Sequence, residues 1–172
     1  MSERPFIPQN IVLLKISDTR TEATDDVGDM FKGMIETDGH NFVERQIVAD
    51  DKFYIRAAVS AWLIRDDVDV IFTTGGTGVT GRDVTPEAIL PLLDKEISGI
   101  GELFRYLSYE QIRTSTIQSR ALGGVANGKI LFVAPGSKGA VKDMWHQIAR
   151  DQLDHRVKPC NLVMLKDRLL TD

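Results

Sequence analysis

Residues 68–78 read VDVIFTTGGTG, an apolar and largely β-branched run that passes directly into a turn containing three glycines. Such a run is typical of a strand that is buried on both faces of a parallel sheet. Thr85-Pro86-Glu87 then provides a helix start, with a hydroxyl cap, a proline at the first helical position and an acid near the positive end of the helix dipole. The stretch therefore predicts a strand, a glycine-rich loop and a helix.

The segments before this unit repeat the alternation of strand and helix. Asn10–Ser17 and Asn41–Val48 are predicted strands, the second more alternating and therefore nearer an edge of the sheet. Asp25 is expected to cap one helix, which ends near Gly39, and Asp51 to open another.

The segments after it predict further helix and a hairpin. Apolar spacing over Ile97–Ile112 indicates a helix, and Ala121–Ala126 and Lys129–Ala134 read as two strands joined at Asn127-Gly128. Pro135-Gly136-Ser137 leads into a last helix. The order predicts an α/β fold, a three-layer α/β/α sandwich with a mostly parallel sheet and an antiparallel edge hairpin, in a single domain over residues 1–172.

Composition excludes several classes of function. The 172 residues include 21 Lys and Arg against 25 Asp and Glu, and this net charge of −4 argues against nonspecific nucleic-acid binding. The sequence has no apolar run of the roughly 18 residues that a membrane span needs, and no signal-peptide region. Cys160 is the single cysteine, which rules out an internal disulfide and a Cys-rich metal site. We expect a cytoplasmic protein.

Two glycine-bearing loops, Thr73–Asp83 and Ala134–Gly139, fall at predicted carboxyl ends of strands, where ligands bind in open α/β sheets. Glycines let backbone N–H groups approach an anion closely, and hydroxyls add donors. Tight connections without a ligand are the alternative. The candidate binding residues are Thr74, Gly75, Gly76, Thr77, Gly78, Pro135, Gly136 and Ser137.

Two familiar phosphate motifs do not fit the first loop. Gly76, Gly78 and Gly81 match the dinucleotide fingerprint in spacing, but the helix starts only at Thr85, after the glycines. A P-loop is excluded because no Gly-Lys-Ser/Thr follows.

Asp50 and Asp83 are candidate magnesium ligands at the same edge. Carboxylates beside phosphates require a divalent cation between them, and Mg²⁺ favours one or two carboxylates with phosphate oxygens. The alternatives are that Asp50 or Asp51 caps the next helix and that Asp83 orders its loop. Nearby arginines such as Arg82 and Arg120 could meet an anion or could be ordinary surface residues.

Several motifs together resemble the MoaB/Mog proteins of molybdenum cofactor biosynthesis, and bacterial MoaB more than Mog. They are Thr73–Gly78, Arg82–Ala88, Gly101–Arg105, Ser119-Arg120-Ala121 and Pro135-Gly136-Ser137. Three further stretches resemble bacterial MoaB more than Mog, namely Ile55–Trp62, Thr114–Ala121 and Lys158–Asn161. Lys138 departs from the proline that the family often has after the serine, and Ala49 from another frequent proline.

The resemblance implies a molybdopterin-binding fold and a homotrimer or homohexamer. It implies adenylylation of molybdopterin by ATP with Mg²⁺, releasing pyrophosphate, with Asp50 and Asp83 as the metal-binding and catalytic acids. By motif position, Glu102, Ser119 and Arg120 join the candidate substrate-binding residues. The alternatives are a catalytically silent molybdopterin-binding paralogue, acting as carrier or assembly partner in the pathway, and an unrelated nucleotide-binding α/β protein.

Overall fold

The computed structural model describes residues 4–170, which are built around one six-stranded sheet. The strands are β1 (Asn10–Ile16), β2 (Asn41–Val48), β3 (Val70–Thr74), β4 (Lys95–Glu96), β5 (Leu122–Ala126) and β6 (Lys129–Ala134), in the spatial order β2-β1-β3-β6-β5-β4. Strands β2, β1, β3 and β6 are parallel, and β5 is antiparallel to both of its neighbours. The mostly parallel sheet, the edge position of β2 and the β5–β6 hairpin are confirmed, but the short strand β4, which the pattern did not predict, forms the outer edge beyond the hairpin.

Helices cover both faces of the sheet. They are α1 (Asp26–Thr37), α2 (Lys52–Leu63), α3 (Thr85–Ile89), α4 (Ser98–Ile112), α5 (Lys138–Met144) and α6 (Arg150–Leu153), with a π-helical turn at Trp145–Ala149 and 3₁₀ turns at Glu22–Thr24, Leu90–Leu92, Arg113–Gln118 and Leu162–Arg168. One apolar core lies between the sheet and α1, α4, α5 and α6, and a second lies between the sheet and α2 and α3. The three-layer α/β/α sandwich is therefore confirmed.

Because helices cover both faces of the sheet, the central strands are apolar at consecutive positions. Ile11 and Leu13 of β1 belong to the first core, whereas Val12 and Leu14 belong to the second. Successive side chains of a strand point to opposite faces, so both sets must be apolar when both faces are covered. Phe72, in the centre of β3, packs on Phe31 of α1 with ring centroids 4.2 Å apart.

Local signals fix several element ends as predicted. Asp25 caps α1 by accepting from the Gly28 N–H at 3.1 Å, and Asp51 caps α2 by accepting from the Phe53 N–H at 2.8 Å. At the hairpin turn Asn127 and Gly128 have φ angles of +44° and +72°, as a tight turn between right-twisted strands requires.

Over residues 4–170, every helix is too short or too polar to cross a lipid bilayer. The carboxyl ends of β1, β2, β3 and β6 all lie at one edge of the sheet because these strands are parallel. Both glycine loops start at this edge.

The Phe72→Ala variant should lower the free energy of unfolding by about 3–5 kcal/mol, because it removes a fully buried ring and leaves a cavity. Urea denaturation followed by circular dichroism measures the change. Phe53→Ala is the matched control, since the Phe53 side chain on α2 is 64% exposed. Equal losses in the two variants would contradict the placement of Phe72 in the core.

Candidate active site

The loop after β3 is built on two glycines that no other residue could replace without strain. Gly75 and Gly76 have φ angles of +111° and +64°. A Cβ added to Gly75 would lie 2.3 Å from the Ile16 carbonyl oxygen, and one added to Gly76 would lie 2.4 Å from Thr85 Oγ1. The missing side chains let this loop lie directly against the end of β1.

Thr85 fastens the turn and does not cap its helix through its side chain. Its hydroxyl donates to the Gly75 carbonyl oxygen at 2.8 Å, and its N–H donates to the Gly76 carbonyl oxygen at 3.0 Å. Val84 occupies the N-cap position and makes no side-chain cap bond. The predicted hydroxyl cap is therefore wrong. The buried hydroxyl instead provides the donor that the carbonyl of the tight turn needs.

The two glycine loops meet. The Gly75 N–H donates to the Ala134 carbonyl oxygen at 3.1 Å, and the Thr74 hydroxyl donates to the Pro135 carbonyl oxygen at 2.9 Å. A Cβ on Gly136 would lie 3.4 Å from the Gly75 Cα. Ser137 caps α5 by accepting from the Ala140 N–H at 3.2 Å. The backbones of both loops thus border one space at the edge of the sheet.

Asp50 lies just beyond the end of β2 and faces the glycine turn. Its Oδ1 is 3.1 Å from the position of a Cβ on Gly76. Its N–H donates to Asp18 Oδ1 at 3.1 Å, and within residues 4–170 no side chain donates a hydrogen bond to its carboxylate. Burial raises the pKa of Asp50, and the neighbouring charge of Asp18 raises it further. Since Asp51 caps α2, the capping role that Asp50 could have taken is already filled.

Asp83 lies against Gly78 of the same loop. Its Oδ2 is 2.8 Å from the position of a Cβ on Gly78 and accepts from the Thr80 hydroxyl at 2.6 Å and the Thr80 N–H at 2.9 Å. The hydrogen bond from the Thr80 hydroxyl is the main cause that lowers the pKa of Asp83. Asp83 therefore does order its loop, and it is held ionised beside the turn.

Two arginines near the loop are engaged with the protein. Arg82 pairs with Asp18, to whose Oδ2 its Nε donates at 3.0 Å, and this contact lowers the pKa of Asp18. Arg120 donates to the carbonyl oxygens of Gly78 and Asp83, both at 2.7 Å, and pairs with Glu87. Arg120 thus braces the loop that carries Asp83, and substrate contact by Arg120 stays a prediction.

The remaining predicted binding residues lie in three different surroundings: one is buried, one lines a cleft and one is exposed on a helix. Thr77 is buried, and its carbonyl oxygen accepts from the Arg120 N–H at 3.0 Å. Ser119 lines a cleft of about 220 Å³ beside Pro135 and Ser137, and its buried hydroxyl has no hydrogen-bond partner among the residues that the structure describes. Glu102 is exposed on α4 and its side chain takes part in no hydrogen bond or ion pair between residues 4 and 170, so its role stays a prediction.

The two aspartates fit a magnesium ion in their chemistry. Hard carboxylate oxygens are the ligands that Mg²⁺ prefers, and it commonly takes only one or two of them together with phosphate oxygens and water. Within the described residues, no group of three or more His, Cys, Asp or Glu side chains could enclose a metal without such help. Any divalent ion held by Asp50 and Asp83 would therefore complete its coordination with oxygens from outside the protein side chains, from phosphate or water.

The prediction from sequence missed two residues of this edge, Asp18 and Lys15. Asp18 follows the end of β1, so the rule that locates ligands beyond parallel strands could have found it. Lys15 is the one charged residue in the apolar strand NIVLLKI and is only 5% exposed. A lone charge in such a strand is a signal for a special environment.

A three-layer α/β/α fold with two glycine loops at the carboxyl ends of its parallel strands is found in a known class of cofactor-binding domains. The model of the family described as "Probable molybdopterin binding domain" matches residues 12–155, and the chain belongs to that family.

Individual members of this class are similar to this chain in sequence and in structure. Molybdenum cofactor biosynthesis protein B of Escherichia coli (strain K12) is 48% identical over 156 residues, covering 91% of this chain and 92% of the relative. A crystal structure of a molybdenum cofactor biosynthesis protein B matches with a TM-score of 0.85 and 40% identity, over 98% of both chains. The tungsten cofactor synthesizing protein MoaB from Pyrococcus furiosus matches with a TM-score of 0.75 and 35% identity, over 84% of this chain and 92% of the other. The resemblance to MoaB/Mog proteins is confirmed.

The Gly75→Ala variant should be destabilised by about 2 kcal/mol or more, because alanine is strained at this φ and its Cβ meets a backbone oxygen. Differential scanning calorimetry should show a melting temperature lower by about 4–8 °C. Gly81→Ala is the control from the same loop, since a Cβ there meets nothing within 4 Å. An unchanged melting temperature for Gly75→Ala would refute the tight packing of the turn on β1.

Proposed function

We propose that this protein binds molybdopterin and adenylylates it with Mg-ATP, releasing pyrophosphate. The observation that carries the proposal is the meeting of two glycine loops at one sheet edge, with Asp50 and Asp83 beside the first of them. Relatives that share most of the chain are named for molybdenum cofactor biosynthesis, which supports molybdopterin as the acceptor.

The loops offer donors suited to phosphate groups. Within residues 4–170, the backbone N–H groups of Gly76, Gly136 and Ser137 donate to no protein acceptor. Orphan N–H groups of glycine loops form concave anion sites. Substrates with several phosphates, such as ATP together with a phosphorylated pterin, would use donors from both loops at once.

The chemistry requires positioning more than a protein nucleophile. An oxygen of the pterin's terminal phosphate attacks the α-phosphorus of ATP, a new P–O–P link forms, and the bond from the α-phosphorus to the leaving pyrophosphate breaks. Two polyanions must be brought together against their mutual repulsion. Holding each on a fixed loop and neutralising charge between them lowers the barrier.

Asp50 and Asp83 are the residues that would hold Mg²⁺ in this site. The ion, when bound, would neutralise phosphate charge and orient the triphosphate. Asp83 is already ionised and fixed by Thr80, whereas among the described residues no side chain donates a hydrogen bond to the Asp50 carboxylate and no cation lies within 4.0 Å of it. Asp50 is therefore the acid that can turn toward a ligand.

One observation favours the silent paralogue as the second candidate. An oxygen of Asp83 is already used by two hydrogen bonds from Thr80, which suits a purely structural acid as well as a metal ligand. A carrier or assembly partner of this kind would bind molybdopterin without releasing pyrophosphate. A measurement of pyrophosphate release therefore distinguishes the enzyme from the silent paralogue.

With molybdopterin, ATP and Mg²⁺, the wild-type protein should release pyrophosphate. The kcat/KM of Asp50→Asn and of Asp83→Asn should each be lower by at least about tenfold, because each substitution removes a charge that would face the metal. A coupled pyrophosphate assay measures the rate, and removal of Mg²⁺ with EDTA should abolish it.

Asp66→Asn is the control for this assay. Asp66 is exposed in the turn before β3, at the opposite edge of the sheet, and its side chain bonds to no described residue. Molybdopterin binding without pyrophosphate release would favour the carrier. Full activity in Asp83→Asn would remove Asp83 from the mechanism.

We also propose that the protein is a homo-oligomer, a trimer or a hexamer, that associates through α4. In the sequence, the segment Ile97–Ile112 has few charges among its apolar residues, a pattern that fits either a subunit interface or core packing; these residues are Ile100, Leu103, Phe104, Leu107 and Ile112. Ile100 and Phe104 instead lie in the core, and Leu107 packs against it. Exposed apolar groups nevertheless remain on this helix, namely Leu103, Tyr106, Tyr109 and Ile112, with Ile117 just beyond it. Apolar surface of this kind is typical of contact between subunits.

Light scattering coupled to gel filtration should give a multiple of 19.2 kDa for the wild type, and Tyr106→Asp should shift it toward the monomer because a charge would be buried in the contact. Tyr54→Asp is the control, as Tyr54 on α2 is similarly exposed. A wild-type species of 19.2 kDa would contradict the oligomer.

A further inference from the structure

Lys15 is a buried charge directly beneath the two glycine loops. It is the last but one residue of β1 and lies beside Thr74 of β3 in the parallel register. Its neighbours in the strand, Leu14 and Ile16, belong to the core under α2 and α3, so the Lys15 side chain points to the opposite face, toward α1 and α5. Only 5% of the residue is exposed.

The ammonium group is poorly satisfied by the protein. It has three donors, and its one hydrogen bond within residues 4–170 goes to the Gly136 carbonyl oxygen at 3.4 Å, which is long for such a bond. No described carboxylate lies within 4.0 Å of it, whereas buried lysines are normally paired. Burial is the main cause that lowers the pKa of Lys15.

The nearest acids of the adjoining helix are committed elsewhere. Asp25 accepts from the Gly28 N–H and is bridged by Arg45 at 3.3 Å. Asp26 pairs with Lys138 at 2.8 Å, which holds the other lysine of this region against α1. The protein therefore supplies Lys15 with distant negative charge but no direct counter-ion.

The space next to the ammonium is the junction of the loops. The position of a Cβ on Gly136 is 3.8 Å from Lys15 Nζ and 3.4 Å from Gly75 Cα. Glycine at 136 thus leaves room between the ammonium and the first loop. The unused N–H groups of Gly76, Gly136 and Ser137 belong to the same two loops. A buried cation with spare donors beside free N–H groups is suited to a phosphate group.

We propose that Lys15 is a substrate-binding residue whose ammonium contacts a phosphate group held between the two glycine loops. This inference rests on the proposed function and adds a binding residue to it. The phosphate could be the terminal phosphate of the pterin or a phosphate of ATP, which share the chemistry that Lys15 recognises. The two sources are separated by measuring each ligand alone.

Lys15→Met keeps the length and apolar stem of the side chain and removes the charge. The full chain is titrated in a calorimeter with molybdopterin, with dephosphorylated molybdopterin and with Mg-ATP. Compared with the wild type, Lys15→Met should bind a phosphorylated ligand about tenfold or more weakly, as expected for the loss of a charged hydrogen bond. Affinity for the dephosphorylated pterin should not change. The melting temperature should be unchanged or higher, because an unpaired buried ammonium is costly to the fold.

Lys129→Met is the matched control, since Lys129 is only 9% exposed but lies at the first position of β6, at the opposite edge of the sheet. A loss confined to molybdopterin assigns the contact to the pterin phosphate, and a loss confined to Mg-ATP assigns it to the nucleotide. Unchanged affinity for both, or an equal loss for the dephosphorylated pterin with a lower melting temperature, would overturn the role of Lys15. If the wild type bound neither substrate, the proposed function itself would fail.

Discussion

The close contact between the backbone turns at Gly75 and Gly136 is the constraint on which the rest of the site depends. It exists because β3 and β6 are parallel neighbours in a register that pairs Thr74 with Ala134, so both strands end at the same level. The bonds from Thr74 to Pro135 and from Gly75 to Ala134 then lock the two turns together. A side chain at Gly75 would clash with the Ile16 carbonyl oxygen and displace the first loop, and with it the donors that face a shared ligand.

The charged groups around this contact fall into two sets. Arg82 with Asp18 and Arg120 with Glu87 are neutralised pairs that hold loops in place. Asp50 and Lys15 instead lack a charged partner within 4.0 Å among the residues described. Buried or half-buried charges without partners destabilise a fold, so their presence beside the glycine loops indicates a ligand with charge of both kinds. Phosphate groups with a bound divalent cation have that character.

Much of the fold could be predicted because local signals and tertiary contacts agree. The consecutive apolar residues of β1 and β3, the caps at Asp25 and Asp51 and the turn at Asn127-Gly128 all form as their patterns indicate. The two-residue strand β4 has too few residues to show a period. Thr85 was misassigned because its hydroxyl satisfies a carbonyl ten residues earlier, a demand set by tertiary packing. The bracing by Arg120 was missed for the same reason, since its acceptor at Gly78 lies 42 residues away.

Lys15 shows how a cost to stability can serve binding. A surface lysine must shed water and lose side-chain freedom when it meets a phosphate, and these costs reduce the affinity that the contact contributes. At Lys15 the fold has already removed most of the water and buried the stem on the face of the sheet toward α1 and α5, so little further cost arises when a ligand enters. The free protein carries the penalty as an unpaired buried charge, and a phosphate at the loop junction relieves it. The same ammonium would therefore destabilise the unliganded fold and stabilise the complex, because it is already in place before the ligand binds. A surface cation such as Lys138, which pairs with Asp26, is not preorganised in this way.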